Sequence, residues 1–417
     1  MNVLKVELKK VIKSRRTWVV TAAALFMTCL LAYLPVLYET VVYYDEAGSE
    51  VQLQGIEAIR YKKILWQDIT GVVTPQMVRQ AVEAYQDCLR EYGVMESYEL
   101  PEGVYSRRLA PYSPLVHGVK EAFADRDTGM APSLTAIDPA QVDAYYEMCT
   151  ERLNALMKMK YKDDPEIQKQ AADMYAEVAK PYQHYPGLGS NPIEYGGFLA
   201  FFLVLLGVII AAPVFSSDYQ TGADDILRCT KHGKSRLGIA KIVTTAGVTA
   251  VLFTVCMTIY LLVSNSLFGW ESVRTSMQIE FSVTSLADWN LGDLELVIAV
   301  GGLVSAMATI AFVLLLSANC KSVMVSLSIG LLCCIAPTFI YMTLPPASKM
   351  NLWLRCLLPS SGVGLPTGYF YAANDYEFLQ AGGLTVWTPY ALLGFAALES
   401  VLFGGMALRH YIFHKMR

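Results

Sequence analysis

Six long apolar stretches, almost free of charged residues, dominate the pattern of hydrophobic and polar positions along this chain. A helix of about 20 residues, rising about 1.5 Å per residue, crosses the roughly 30 Å hydrocarbon core of a bilayer. The stretches are Thr17 to Tyr38, Tyr195 to Ser217, Ile242 to about Ser264, Leu296 to Cys320, Ser322 to Leu344, and Pro389 to Leu408. The pattern therefore predicts a polytopic membrane protein with six transmembrane helices.

The composition agrees with this prediction, and we expect the first stretch to be retained as a span at residues 17–38. Apolar residues make up 54% of the sequence and charged residues 17%, which is too apolar for an ordinary soluble surface. The first stretch exceeds the roughly 7 to 15 apolar residues of a signal-peptide core. Tyr33, Pro35 and Tyr38 also leave no cleavage site made of small residues.

Lysine and arginine predict the orientation of the spans, because basic residues resist translocation whereas acidic residues have little effect. The outer segments 265–295 and 345–388 contain only three basic residues, Arg274, Lys349 and Arg355. The predicted inner side carries Lys5, Lys9, Lys10, Lys13, Arg15, Arg16, Arg228, Lys231, Lys234, Arg236, Lys241, Lys321, Arg409, Lys415 and Arg417. We therefore expect both termini on the cytoplasmic side of a bacterial plasma membrane.

Residues 39–192 have the composition of a soluble fold. The orientation predicted from the basic residues places them on the extracellular side of the membrane. Four capping side chains each precede a proline, as at helix starts: Thr74-Pro75, Ser113-Pro114, Asp138-Pro139 and Asp164-Pro165. Apolar residues then recur at helical spacing, at Val78, Ala81, Tyr85, Cys88 and Leu89 and at Val142, Tyr145, Cys149, Leu153 and Leu156. Gly93 and Pro181 are stop signals. The fold class is predicted to be all-α, with a large helical extracellular domain between the first and second spans. We interpret the acidic residues of this domain as a solvated face rather than a cation site.

No pattern of cysteine, histidine or serine predicts an enzyme. Cys88 and Cys149 are either a disulfide bridge or two core thiols on helix faces, and we favour the thiols. The serines of 359–362 lack the glycine that precedes a serine nucleophile. Gly233-Lys234-Ser235 ends like a phosphate-binding loop, but Arg228 stands where its first glycine is required. We expect no catalytic or metal site, no nucleic-acid partner, and no ATP binding by this chain alone.

The connection between the second and third spans, residues 218–241, is the most informative local sequence. It places an acidic residue, a glycine four positions later, a leucine, and a Ser-Arg pair before a lysine, at Asp218, Gly222, Leu227, Ser235, Arg236 and Lys241. This pattern resembles the permease subunits of the type-2 ABC exporter family. Asp218 stands where glutamate is usual, and Ala223 stands where threonine is usual. The layout, with a basic helix at 1–16, six spans and both ends inside, also resembles that family, although a large first outer segment departs from it.

The resemblance implies a permease subunit, a homo- or heterodimer, that exports a hydrophobic or amphipathic substrate (peptide, lipid or drug-like) by alternating access. It implies partnership with separate ATP-binding cassette subunits, which bind ATP and Mg²⁺, and no cofactor in this chain. It also implies that the loop couples to the ATPase through Asp218, Gly222, Leu227, Arg228, Ser235 and Arg236. An alternative hypothesis makes the chain a membrane receptor or sensor whose extracellular domain binds a ligand without transport.

The charge distribution of the loop allows two interpretations. A short helix with acidic residues at its start and basic residues toward its end suits the helix dipole and docking into a groove on a partner. The alternative is that Arg228, Lys231, Lys234 and Arg236 are only inner-side basic residues near lipid phosphates, which we favour for the lysines. At residues 1–16, the stripe of Leu4, Leu8, Val11 and Ile12 predicts an amphipathic helix in the interface plane, and simple anchoring to the membrane is one interpretation of it.

Residues 193–417 are predicted to form a five-helix transmembrane region. Glu399 lies near the centre of the last span, where a carboxylate is costly unless it faces the bundle interior, is protonated or has a partner. It is a candidate for the substrate pathway, and a protonated glutamic acid bonded to a neighbouring helix is the alternative. Two ridges of small residues predict close helix packing, at Gly301, Ser305 and Thr309 and at Ser322, Ser326 and Gly330. The outer segment 345–388 is predicted to be re-entrant or interfacial.

Overall fold

The computed structural model describes residues 3–45, 48–230, 233–345 and 348–413. Three of the basic residues used to predict orientation, Lys231, Lys415 and Arg417, lie outside the described residues. The helices are α1 Val3–Ile12, α2 Arg15–Tyr38, α3 Ile56–Leu65, α4 Pro75–Tyr92, α5 Ser113–Ala122, α6 Tyr145–Lys160, α7 Pro165–Ala176, α8 Ser190–Ala211, α9 Pro213–Thr221, α10 Ala223–Cys229, α11 Ser235–Phe268, α12 Met277–Glu280, α13 Leu291–Asn319, α14 Val323–Thr343, α15 Lys349–Cys356, α16 Tyr369–Asn374 and α17 Thr388–Phe413.

The six predicted spans are confirmed as helices that are long and apolar enough to cross a membrane. Among the described residues these are Arg15–Tyr38, Ser190–Thr221, Ser235–Phe268, Leu291–Asn319, Val323–Thr343 and Thr388–Phe413. The second is formed by α8 and α9 together. The third, with 34 residues, begins seven positions before the apolar stretch that predicted it, because its first two turns contain the charged Arg236 and Lys241.

The chain divides into two compact units. We call Met1–Ala32, Glu194–Leu262 and Glu295–Arg417 the span unit, and Tyr33–Ile193 and Val263–Leu294 the inserted unit. The inserted unit therefore contains a second chain segment, 263–294, that the sequence analysis treated only as an outer loop.

The helical faces predicted for residues 39–192 form the core of the inserted unit. Val78, Ala81, Tyr85, Cys88 and Leu89 of α4 are all buried. Thr74 caps that helix by accepting a hydrogen bond from the Met77 N–H (3.2 Å), and Gly93 ends it in the left-handed conformation. These features of the α4 prediction are confirmed.

The prediction for α6 is right about its buried face but places the start of the α-helix too early. Residues Pro139–Ala144 form a 3-10 turn capped by Asp138, so the α-helix begins only at Tyr145. Its buried positions follow every fourth residue, at Tyr145, Cys149, Leu153 and Met157, and Leu156 is only half-buried. Cys88 and Cys149 are free, buried thiols. The favoured interpretation of two core thiols is confirmed.

Two polar side chains, a half-buried carboxylate and a buried tyrosine, attach the segment 263–294 to the rest of the inserted unit. The Glu121 carboxylate accepts hydrogen bonds from the Ser282 hydroxyl and from the Val283 N–H (3.0 Å). The Tyr175 hydroxyl donates to the Val283 carbonyl (2.7 Å) and pairs with the Tyr182 hydroxyl (2.6 Å). The contacts made by Ser282 and Val283 join positions more than 100 residues apart, which no local pattern could reveal.

The prediction of an all-α class missed three two-stranded antiparallel sheets that the described part of this mostly helical chain contains. They pair β1 Thr40–Tyr44 with β2 Glu50–Gln54, β3 Gly71–Val72 with β4 Gln183–His184, and β5 Phe378–Ala381 with β6 Leu384–Trp387. The last hairpin turns at Gly382 and Gly383, both with positive φ, as a two-residue turn requires. β1 directly follows the first span, so its apolar residues were hidden at the end of a longer apolar run.

In the span unit, the predicted small-residue ridges lie in close packing. Ser305, Thr309 and Ser326 are fully buried. A Cβ added at Gly330 of α14 would lie 2.9 Å from Val208 of α8 and 3.0 Å from a methyl group of α13. The three helices therefore approach one another where the small residues lie, as the ridge prediction requires.

The segment 345–388 folds as part of the span unit and contacts the middle of two spans. Ser360 donates a hydrogen bond to the carbonyl of Cys333 (2.8 Å), the middle residue of the 21-residue α14. A Cβ added at Gly362 would collide with the Ser305 hydroxyl, on the middle residue of the 29-residue α13. The loop between α15 and α16 thus lies about halfway along both helices.

Candidate functional site

The 213–241 connector comprises α9, α10 and the first turns of α11, and its sharp turn depends on one glycine. Gly222 adopts φ +71°, a left-handed conformation that ends α9, and its N–H donates to the Asp218 and Tyr219 carbonyls. Side chains other than glycine and asparagine rarely adopt this conformation. Gly222 therefore allows α10 to begin directly after α9.

A buried ion pair lies at the base of the connector. The Lys241 ammonium on α11 contacts the Asp218 carboxylate on α9, and the two side chains are only 2% and 11% exposed. The same ammonium donates to the Val214 carbonyl (2.9 Å) and lies 5.4 Å from the centre of the Phe215 ring. The ion pair joins the end of the second span to the start of the third.

A second group of contacts joins the connector to the end of the last span. Arg228 on α10 is 4% exposed, donates to the Ile412 carbonyl (3.0 Å) and stacks over the Tyr411 ring at 5.6 Å. The Tyr411 hydroxyl donates to the Gly233 carbonyl (2.9 Å), and its ring lies 4.9 Å from that of Phe215. The Nε and Nη1 atoms of Arg228 have no hydrogen-bond partner in the part of the chain that the structure describes.

Three serines connect the start of α9 to α13 and α14. The Phe215 and Ser216 N–H groups donate to the Ser317 hydroxyl at 2.9 and 3.0 Å. The Ser326 hydroxyl donates to the Ala212 carbonyl (2.9 Å), at the junction of α8 and α9. The connector is thus bonded to three other helices of the span unit, α13, α14 and α17.

The six residues predicted to couple to an ATPase fall into two groups. Asp218 and Arg228 are buried in the contacts just described, whereas Leu227 is half-buried. Gly222, Ser235 and Arg236 are exposed. The structure thus separates side chains that hold the connector from those that a partner could reach.

Two residues of the connector site were not predicted from the sequence. Tyr411 lies 178 positions from its hydrogen-bond partner, so its role had no local signal. Ile226 is 76% exposed on α10, between the exposed Asp225 and the half-buried Leu227. An exposed isoleucine on a helix of otherwise charged character could have been noticed from the sequence as a docking residue.

Glu399 is buried within α17. It is 8% exposed, and its Oε2 atom has no hydrogen-bond partner among residues 3–45, 48–230, 233–345 and 348–413. It is the twelfth of the 26 residues of α17 and thus lies near the middle of that helix. The structure places it near the same depth as the loop that contains Ser360.

The inserted unit contains a polar cavity of about 220 Å³. The Glu39 carboxylate and the Lys62 ammonium form an ion pair there at 2.5 Å, and Glu280 accepts a hydrogen bond from the Ser190 N–H (2.6 Å). Burial raises the pKa of Glu280 to about 7, and burial lowers the pKa of His184 in the same cavity. The cavity therefore holds a carboxyl group that titrates near neutral pH.

A family model described as ABC-2 family transporter protein matches residues 1–361, which include the whole 213–241 connector. The chain belongs to the ABC-2 transporter family. As an ABC-2 permease it is the membrane-spanning component of an ATP-binding cassette transporter, a family whose permeases work with ABC ATPase subunits. Glu399 and Tyr411 lie beyond the matched residues. No curated protein matches this chain.

Proposed function

We propose that this ABC-2 permease exports a hydrophobic or amphipathic substrate from a bacterial cell by alternating access. Separate ATPase subunits bind ATP and Mg²⁺ and drive the cycle, and a second permease chain completes the complex as a homo- or heterodimer. The observation that carries the proposal is the connector: it carries the exposed helix α10, and buried residues of the connector join the ends of the second, third and sixth spans.

The contacts of the connector provide a route for mechanical coupling. Movement of α10 displaces Arg228 and with it the Ile412 carbonyl of α17. Movement of α9 displaces Asp218 and its partner Lys241 on α11. Because these charged side chains are buried, the links are costly to break, and the helices move with the connector rather than separating from it.

The exposed residues of the connector form the docking surface for the ATPase subunit. Ile226 offers an apolar side chain that is 76% exposed, and Gly222, Ser235 and Arg236 lie exposed on the same connector. A large apolar residue flanked by charged residues is typical of a protein–protein contact. The exposed Asp225 and Arg236 favour a partner groove that is polar at its rim.

The substrate pathway of this proposal passes Glu399. A carboxyl group buried at mid-span is expensive unless it has a function or a partner. The loop between α15 and α16 contributes Ser360 and Gly362 at the same depth, so we propose that segment 345–388 is re-entrant and lines this pathway. The basic residues supply the orientation: both termini cytoplasmic and residues 39–192 extracellular.

The test is charge reversal at Arg236 in the complex with its native ATPase, obtained by co-purification from the host. Arg236→Glu is expected to abolish substrate-stimulated ATP hydrolysis while the permease remains folded and membrane-inserted. Lys234→Glu, an equally exposed cation two positions away, is the matched control and retains stimulation. Unchanged stimulation in Arg236→Glu defeats the coupling role, and co-purification without any ATPase subunit favours the receptor hypothesis.

A further inference from the structure

An apolar groove of about 580 Å³ lies in the span unit between the N-terminal helix α1 and the spans α2 and α11. Leu8 of α1, Trp18 and Leu25 of α2, and Val243 and Val255 of α11 line it. Its walls are almost entirely apolar. The groove is therefore shaped to hold hydrocarbon, and the proposed export function does not require it.

A small polar cavity of about 110 Å³ adjoins the groove at Thr17, which lines both. Lys10 of α1 and Arg16 of α2 line this cavity, as does Thr245 of α11. Thr245 is 1% exposed, and its hydroxyl has no hydrogen-bond partner in the described part of the chain. A buried hydroxyl without a partner costs free energy, so a ligand that bonds to it is favoured.

The charges of the polar cavity favour an anion. Lys241 also lines it, but its ammonium is already paired with Asp218. Lys10 and Arg16 have no ion pair with any described residue, and Glu7 is the one carboxylate that lines the cavity in the structure as described. With the Lys241 pair neutral, the cavity carries one net positive charge, which one phosphodiester group would neutralise.

The length of the groove corresponds to one leaflet. Val243 and Val255 are twelve residues apart on one helix, which is about 18 Å along the axis. Half of a roughly 30 Å hydrocarbon core is about 15 Å. An acyl chain whose headgroup lies at the polar cavity would thus extend along the whole groove and end near the bilayer centre.

We propose that this site binds a single anionic glycerophospholipid, with its phosphate at Lys10 and Arg16 and an acyl chain along the groove. A second copy of the chain is the competing occupant. An apolar helix from a second copy would fill the groove but would offer no hydrogen-bond partner to the buried Thr245 hydroxyl and no counter-charge to the exposed Lys10 and Arg16. A lipid satisfies both parts of the site.

The first test measures thermal stability of the delipidated full-length permease in mild detergent. Dioleoyl-phosphatidylglycerol is expected to raise the melting temperature by several °C more than dioleoyl-phosphatidylcholine, because a ligand that binds the folded state stabilises it. Lys10→Gln/Arg16→Gln abolishes that difference. Lys9→Gln/Lys13→Gln removes the same charge from exposed positions that do not line the cavity. This control variant is expected to retain the difference between the two lipids. Equal effects of the two lipids, or equal loss in both double variants, would overturn the proposal.

The second test fills the groove. Gly247 lines it, and a Cβ added there meets no atom within 4 Å, so Gly247→Leu enters the groove without a clash with the protein. We expect this variant to lose the phosphatidylglycerol effect, while Gly405→Leu, at another open glycine, retains it. If Gly247→Leu instead retains the lipid effect and converts dimers to monomers by native mass spectrometry, a second copy occupies the groove and the lipid proposal is wrong.

Discussion

The Lys241 ammonium contacts the Asp218 carboxylate across 23 positions of the chain, with both side chains buried where α9 meets α11. Both residues belong to the loop pattern that resembles ABC-2 permeases, yet neither faces outward. Their pairing explains why an acidic residue at the start of the loop and a lysine at its end occur together. They hold the connector, and we propose that the exposed residues between them contact the partner.

We expect loss of either member of this pair to destabilise the permease strongly. Asp218→Asn or Lys241→Met leaves one buried charge without its partner, which costs about 3 to 5 kcal/mol. The double variant is expected to recover at least half of that loss, because it leaves no unpaired charge. This double-mutant cycle is measured through the melting temperatures of the four purified permeases in detergent.

The control for this cycle is Asp218→Glu, which retains the carboxylate and is the residue usual at this position in the family. It should keep stability close to that of the original chain. Additive losses in the double variant would show that the two side chains stabilise the fold independently, and would contradict a structural role for their pairing.

The contact between α10 and α17 gives a second prediction, about coupling rather than stability. Tyr411→Phe removes the hydrogen bond to the Gly233 carbonyl but keeps the ring under Arg228 and beside Phe215. The cost to stability is expected to be about 1 kcal/mol. Substrate-stimulated ATP hydrolysis should fall several-fold, since α17 is held less firmly.

Tyr390→Phe, at an exposed tyrosine near the other end of α17, is the matched control for Tyr411→Phe. It should leave both stability and stimulation unchanged. If Tyr411→Phe also leaves stimulation unchanged, α17 does not transmit movement through this bond.

Gly222 allows a prediction about the turn itself. A Cβ at this position meets no atom within 4 Å, so Gly222→Ala is strained only by its left-handed backbone, which costs roughly 1 to 2 kcal/mol. Gly222→Asn is expected to retain most of the stability, because asparagine tolerates this conformation. Thermal unfolding of the three proteins is expected to give stability decreasing in the order glycine, asparagine, alanine. Equal stability of the asparagine and alanine variants would show that the turn relaxes.

The sequence predicted the spans because a run of about 20 apolar residues is a signal contained in the run itself. It also identified the connector, through residues close in the chain. It did not predict that Tyr411 or the segment 263–294 contributes, since their contacts with Gly233 and Tyr175 join positions more than 100 residues apart. It missed the hairpin at β5 and β6, although the Gly382-Gly383 pair is a recognisable turn signal.

The inserted unit should become more stable as the pH falls from 8 to 6.5, through Glu280. Burial raises the pKa of Glu280 from its ordinary value to about 7, with a smaller increase from the Glu39 carboxylate and a decrease from Lys62. The folded state thus binds a proton that the unfolded state releases in this range, so the stabilisation is greatest at low pH and is lost as the pH rises through about 7.

Glu280→Gln is expected to flatten this dependence, whereas Glu177→Gln, at an exposed position of the same unit, keeps it. Melting temperatures at pH 6.5 and 8 measure the difference, expected to be a few °C. The comparison stops at 6.5 because the pKa of His184 is lowered by burial, so protonation of His184 at lower pH destabilises the folded state and opposes the effect. A pH dependence unchanged in Glu280→Gln would assign the titration to another group.

Glu399 yields the prediction that separates a functional carboxyl group from a structural one. Its buried Oε2 lacks a hydrogen-bond partner in the chain as described, so Glu399→Leu removes a desolvation cost and is expected to raise the melting temperature. Transport should fall by tenfold or more, because the pathway loses its one titratable group on α17 at mid-span. Ser400→Ala is the control: among the described residues the Ser400 hydroxyl bonds only to the Ala396 carbonyl of its own helix, so neither property should change. A more stable variant with full transport would show that Glu399 lies off the pathway, and a less stable variant would show that the carboxyl group supports the fold.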